Sequence, residues 1–308
     1  MNKRRFGKTG WMVSEVGFGT WNIGGADWGD VADEDGRAAI RAALDAGTNF
    51  LDTADVYGDG QSERLIADVL AERPDDEIYV VTKAGRRLNP HVTAGYNAEN
   101  LTAFVERSRQ YLQQDTIDLV QLHCPPNDVY YNPAAFEALE DMVEKGWIRH
   151  YGVSVEKVEQ AMVALEYPGV VSIQIIFNML RHRPYEHFFE MAKAADVAVI
   201  ARVPLASGLL TGKISADATF PENDHRNYNR NGEAFDVGET FSGLPFDRGI
   251  EAVEALRSVV PEGTTMAQFA LRWILMFDAV STVIPGSTNP AHIQANIDAA
   301  DLPSLTQA

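Results

Sequence analysis

Eight short, β-branched apolar runs recur along the chain, at residues 16–19, 50–52, 78–82, 117–122, 151–153, 171–177, 197–203 and 280–284. Most are continuous rather than alternating, the pattern of strands covered on both faces in a parallel sheet. Between them, stretches at 37–46, 99–112, 134–145, 185–195 and 264–277 carry apolar residues three and four apart, which predicts helices that bury one stripe. Thr264 or Thr265 is placed to cap the last of these. Parallel strands need crossover helices, and eight strands with such crossovers predict an α/β fold closed as a (β/α)8 TIM barrel. A single domain over residues 1–308 is expected, with a doubly wound open sheet as the alternative.

Composition agrees with that size of core: 45% of the 308 residues are hydrophobic and 23% charged. No apolar run follows the basic start MNKRRFGKTGW, and none reaches the roughly 18 residues of a membrane span, so a cytoplasmic protein is expected. Cys124 is the only cysteine, which excludes an intrachain disulfide and a multi-cysteine metal site. His182 and His187 stand five apart, a poor spacing for one helix face, and no metal is expected. A formal net charge of −18 opposes nucleic acid and anionic membrane as partners. The expected partner is a small molecule, and the expected assembly a monomer or small homo-oligomer.

Several dinucleotide and nucleophile motifs fail. Gly17 and Gly19 lack the third glycine of a Rossmann fingerprint, since Asn22 stands there. Gly208 to Lys213 is one residue short of a phosphate-binding loop, and Ser154 has no nucleophile elbow around it. Residues 215–247 are polar, rich in Asn, Gly and Asp, and without period; a loop this long in a compact domain predicts a lid or clamp.

Three apolar runs end in polar residues they do not explain: Asp52 to Gly58 after the second, Thr82-Lys83 at the third, His123-Cys124 at the fourth. Strand C-terminal ends form the mouth of a barrel, where Asp52, Tyr57, Lys83 and His123 would converge. Singly, Asp52 serves as well for a helix cap, Tyr57 for a core aromatic and His123 for a buried structural histidine. Jointly they suit carbonyl reduction, which needs a proton donor for the developing alkoxide. Tyr57 would donate, Lys83 would lower its pKa, Asp52 would hold Lys83, and His123 would orient the substrate oxygen.

At these residues the sequence resembles the aldo-keto reductase superfamily, through GFGTW (17–21), NFLDTADVYG (49–58), VVTKAG (80–85), LVQLHCPP (119–126), GWIRHYGVS (146–154), LASGLLTGK (205–213) and IPGSTNP (284–290). The resemblance implies a barrel that binds NADPH or NADH across its mouth and reduces aldehydes or ketones to alcohols. It also implies an N-terminal β-hairpin to Ser14 closing the barrel's bottom, an extra helix at 249–259, and a loop at 207–247 folding over the pyrophosphate. Barrels of this kind also serve as nicotinamide-sensing regulatory subunits with little turnover, which is the alternative function.

The cofactor residues it implies are Gly19, Thr20, Trp21, Asp52, Ser154, Gln174, Arg202, Pro204, Leu205, Ser207, Gly208, Lys213, Gly286, Ser287, Thr288, His292 and Asn296. Ser154 and Gln174 would bond the nicotinamide amide. Many members carry an asparagine where Val155 stands, and Asn178 is expected to take over its amide bond. Arg202 falls where many members stack a tyrosine on the nicotinamide, and its charge is expected to raise the cofactor's potential. No permanent cation lies between Pro285 and Asn296, which implies a weaker NADPH preference than usual. Ser287 and Thr288 would bond a 2′-phosphate or simply cap the last helix, while His292 and Asn296 share a face toward the adenosine. Trp21, Trp28, Tyr57, Arg86, His123 and Phe177 are the expected substrate pocket, with Arg87, Tyr130, Tyr131 and Arg181 as further wall candidates.

Overall fold

The structure, a computed structural model, describes residues 1–24, 28 and 31–305. Among the described residues ten strands form: β1 (Lys3–Arg5), β2 (Met12–Ser14), β3 (Phe18–Gly19), β4 (Phe50–Asp52), β5 (Tyr79–Ala84), β6 (Ile117–His123), β7 (Ile148–Ser154), β8 (Val170–Ile176), β9 (Ala198–Arg202) and β10 (Val280–Val283). β1 and β2 pair antiparallel as the expected hairpin. The other eight follow one another in chain order as a parallel sheet. The ring closes where Val16 bridges Val283, with the Gly17 amide donating to the Val283 carbonyl at 2.9 Å. A (β/α)8 barrel results.

Helices α1 (Asp33–Asp45), α2 (Gln61–Ala71), α3 (Ala98–Leu112), α4 (Pro133–Glu144) and α5 (Val158–Ala164) surround the first half. Then come α6 (Arg183–His187), α7 (Phe189–Ala194), α8 (His225–Tyr228), α9 (Phe246–Leu256), α10 (Met266–Leu275) and α11 (Pro290–Asp298). The single helix expected over 185–195 is thus two, broken at Phe188, whose φ is −118°. Phe188 and Phe189, on either side of the break, are both buried. Thr265, rather than Thr264, caps α10 in a reciprocal capping box with Gln268. No helix among the described residues is long and apolar enough to cross a membrane.

Burial divides into layers. Phe50, Tyr79, Val81, Leu119, Val171 and Ile200 fill the barrel, and Phe6 of the hairpin plugs its lower end against Phe50 at 5.3 Å. A larger core lies between strands and helices. Residues 204–247, which include the periodless stretch 215–247, carry a core of their own: Ala206, Leu209, Leu210 and Phe241 pack against Val253, Met266 and Phe269 of α9 and α10. The segment is therefore an anchored strap over the upper mouth.

Candidate active site

Register fixes what reaches the mouth. In the ladder, Asp52 stands beside Gly19, Lys83 beside Gln121, His123 beside Ser154, Ser154 beside Gln174, and Ile176 beside Arg202. Polar side chains at successive C-terminal strand ends therefore share one rim. A cleft of about 810 Å³ opens there, within the ~300–1,000 Å³ range of small-molecule and cofactor sites.

Lys83 lies at its floor. Its Nζ donates to Asp52 Oδ1 at 2.6 Å and to the Thr53 carbonyl at 2.8 Å, and reaches Tyr57 Oη at 3.4 Å. Asp52 Oδ2 accepts from Gln174 Nε2 at 2.6 Å, so both carboxylate oxygens are bound. The Tyr57 and His123 rings meet edge to face, 6.0 Å apart. Asp52, Tyr57 and His123 thus line one cleft, with Lys83 buried behind Asp52 and Tyr57.

Electrostatics departs from expectation at Tyr57. Enclosure by the protein pushes the phenol well above its ordinary value, Asp52 and Glu239 push it further, and Arg202 and Arg86 pull it down. Tyr57 therefore stands fully protonated at neutral pH. Burial also holds Lys83 below the usual lysine value, against the upward pull of Asp52. His123 is pushed well below the usual histidine value by burial, then by Arg86 and Lys83, and is neutral.

Arg86 stands beside it, Nη1 at 3.4 Å from His123 Nε2. A guanidinium only donates, so Nε2 accepts and the imidazole proton sits on Nδ1, which is buried with no partner among the described residues.

The most consequential residue that the sequence did not single out is Glu239. Its buried carboxylate pairs with Arg202 Nη1, and lies 3.9 Å from Arg86. Burial pushes Glu239 up, but Arg202 and Arg86 outweigh this and hold it below the usual glutamate value. Arg202 Nη2 donates to the Val155 carbonyl at 2.8 Å. The charge expected to act on the nicotinamide is thus matched by a carboxylate. Asn22, Val203, Arg226, Tyr228 and Phe235 also line the cleft, none of them expected from the sequence.

Of the implied cofactor residues, Gly19, Trp21, Asp52, Ser154, Gln174, Arg202, Pro204, Leu205, Ser207, Gly208, Gly286, Ser287, Thr288 and His292 line the cleft. Thr20 is buried beneath it, N–H and hydroxyl both on the Asp52 carbonyl at 2.9 Å. Asn296 is buried in α11 outside the cleft lining. Lys213 stands at the edge, its Nζ 3.3 Å from His292 Nε2. Ser287 and Thr288 do not cap α11; Asn289 does, accepting from the Ala291 and His292 amides. Asn178 is spent on the strap, donating to the Val203 carbonyl and Ser242 Oγ, so it offers no amide bond at the cleft.

Of the expected substrate wall, Trp21, Trp28, Tyr57, Arg86 and His123 line the cleft. Phe177 does not: it is fully buried, stacked on Trp273 and edge-on to Phe189 and Phe277. The chain turns after β8 so that this ring faces the helices rather than the mouth. Tyr130 is buried away from the cleft and Tyr131 is 72% exposed. Arg87 bonds the Asp55 carbonyl and Asp59, while Arg181 bonds the Glu156 carbonyl.

The residues fit a dinucleotide. At one wall a Cβ added to Gly286 would come 2.5 Å from the Gly19 carbonyl, so bare backbone borders the cleft there. The Ser287 and Thr288 amides face Asn22, whose amide oxygen accepts from them at 3.1 and 3.2 Å. Gln174 Nε2 is committed to Asp52 and Gln121, leaving its carbonyl oxygen for a donor in the cleft.

A closed parallel barrel with a buried lysine–aspartate pair and a tyrosine at its mouth puts the chain among (β/α)8 barrels whose site lies at the C-terminal strand ends. The sequence model of the aldo/keto reductase family matches residues 15–308. The aldo-keto reductase YhdN of Bacillus subtilis is 31% identical over 291 residues, covering 93% of this chain and 85% of its own. A probable voltage-gated potassium channel subunit beta of Arabidopsis thaliana is 27% identical over 99% of this chain and 93% of its own. Among solved structures, the holo form of aldo-keto reductase AKR11C1 from Bacillus halodurans superposes with a TM-score of 0.78 at 29% identity, covering 99% of this chain and 93% of that one. The glycerol dehydrogenase AKR11B4 from Gluconobacter oxydans gives 0.79 at 29% identity, over 97% and 90%. The chain belongs to the aldo/keto reductase family, oxidoreductases that use NAD(P)H.

Proposed function

We propose that the chain reduces an aldehyde or ketone to the alcohol, with Tyr57 as proton donor. The observation that carries this is the Lys83 ammonium bridging Asp52 and Tyr57 at the floor of the cleft, beside His123. Reduced NAD(P)H, when bound, supplies the hydride that forms the new C–H bond as the C=O π bond breaks. Gly19, Ser154, Gln174 and Gly286 to Thr288 would hold it.

Tyr57 gives its proton to the carbonyl oxygen. Its raised pKa keeps that proton in place until negative charge develops, when transfer becomes favourable. Lys83, donating to Tyr57 Oη, stabilises the phenolate left behind, and Asp52 fixes Lys83 in place. His123, uncharged, orients the substrate oxygen without competing as an acid. Trp21 stacks along Tyr57 at 6.2 Å and meets Trp28 at 5.6 Å, walls that exclude water from the reacting carbon.

A nicotinamide-sensing subunit is the second reading, favoured by the likeness to potassium channel subunits. One assay separates the two: NADPH and NADH absorbance with an aldehyde and ketone panel, wild type against Tyr57→Phe. Turnover reduced by about 10²-fold or more in the variant supports the reductase. Undiminished turnover in Tyr57→Phe sinks the mechanism, and cofactor binding without turnover in the wild type favours the sensor.

A further inference from the structure

Charges at the cleft floor do not balance. Lys83 is matched by Asp52, Arg202 by Glu239, and Arg226 at the rim by Asp224 at contact distance. Arg86 is left over. Its nearest carboxylate among the described residues is Glu239, at 3.9 Å and already held by Arg202. Glu156 acts on it only at longer range. The Phe235 ring lies 5.0 Å from its guanidinium carbon, so one face is covered and the donors point along the edge. A guanidinium edge is a planar fork matched to a carboxylate.

Position narrows the ligand. Arg86 Nη1 is 3.4 Å from His123 Nε2, and His123 adjoins Tyr57. The fork and the proton donor therefore flank the same ring. A ligand short enough to touch both at once carries its anionic group directly on the carbonyl carbon. The remaining wall is aromatic: Trp21 packs with Tyr57, Trp28 and Phe235, at centroid distances of 6.2, 5.6 and 6.0 Å.

We propose that the substrate is a 2-oxo acid with a flat or apolar substituent, its carboxylate held by Arg86. The proposal rests on the reductase reading and deepens it. It also gives His123 a second state. While Arg86 donates to Nε2, that nitrogen accepts and has no proton for the substrate. When Arg86 turns to the carboxylate, Nε2 is released, the ring takes the other tautomer, and Nε2–H donates to the carbonyl oxygen. Substrate charge thus completes the orienting bond, and a neutral carbonyl compound leaves it unmade.

The test compares phenylglyoxylate with phenylglyoxamide, equal in shape and different in charge, as substrates of the wild type, Arg86→Leu and Arg86→Lys. The wild type is expected to favour the acid in kcat/KM by about tenfold or more. Arg86→Leu brings that ratio toward one, and Arg86→Lys, which keeps the charge without the fork, stands between. A ratio of one or below in the wild type overturns the proposal, as does reduction of neutral aldehydes alone. A second readout needs no turnover: mandelate, against mandelamide, should raise the melting temperature of the wild type and not of Arg86→Leu. If no carbonyl compound is reduced, the reductase reading fails. The mandelate shift then decides the anion site alone, its absence from the wild type overturning it.

Discussion

Arg202, at the end of β9, and Glu239, in the strap, form an ion pair closed off from solvent, with side-chain exposures of 8% and 5%. The pair fastens the strap to the barrel and cancels charge at the place expected for the nicotinamide. Removing one partner leaves the other buried and uncompensated. Glu239→Leu should therefore cost about 3 kcal/mol, by the general penalty for breaking buried pairs. Arg202→Met with Glu239→Leu should cost less than either single change, because no charge is stranded. Denaturant unfolding of the three variants checks this; additive losses would refute the coupling.

Lys83 and Asp52 make the same argument at the catalytic floor, with a second readout. Lys83→Met strands Asp52, whose remaining bond is from Gln174. Stability should fall by about 3 kcal/mol, and kcat by about 10²–10⁴-fold, the range for losing acid catalysis. Tyr57→Phe should lose comparable activity with little change in stability, since Lys83 retains Asp52 and the Thr53 carbonyl. Melting curves and kcat for both variants separate the two effects.

Asp55 carries the clearest pH signature. Burial and then Glu63 push its pKa from 3.8 to about 8, and neither of its carboxylate oxygens has a hydrogen-bond partner among the described residues. An acid raised on folding binds more protons folded than unfolded between the two values, so its contribution to stability falls as pH rises through that window. The loss is complete above about 8. Asp55→Asn removes it, so the variant should gain on the wild type between these pH values, by up to about 1.4 kcal/mol per pH unit. Urea unfolding at several pH values measures the gain; parallel pH profiles would contradict the assignment.

Much of this was legible in the sequence, and the failures share a cause. Eight strands stood out because continuous β-branched runs are unusual outside buried parallel strands. Asp52, Tyr57, Lys83 and His123 stood out because polar residues at the ends of such runs need a reason. Glu239 did not, because it lies in a segment without period, one of 44 acidic residues, and its partner is set by tertiary packing. A barrel-mouth Arg202 demands a carboxylate, but the sequence does not say which. Phe177 and Asn178 were misplaced for a related reason. They follow a strand end by one or two residues, where the direction of the chain decides between mouth and core. Phe188 split a helix that periodicity alone joined.

Lys213 changes the expectation for the cofactor. Along the sequence no permanent cation lies between Pro285 and Asn296, yet Lys213 Nζ stands 3.3 Å from His292 Nε2, beside the end of the cleft lined by Ser287 and Thr288. A cation and a helix N-terminus together favour a 2′-phosphate. One lysine on an exposed flank is worth less than a bidentate arginine, so the preference for NADPH over NADH should stay under about a hundredfold, near 3 kcal/mol. Lys213→Ala should lower kcat/KM for NADPH about tenfold more than for NADH, a difference of roughly 1.4 kcal/mol. Equal losses with both cofactors would place Lys213 on the shared pyrophosphate instead. An unchanged ratio with unchanged rates would remove it from the cofactor site.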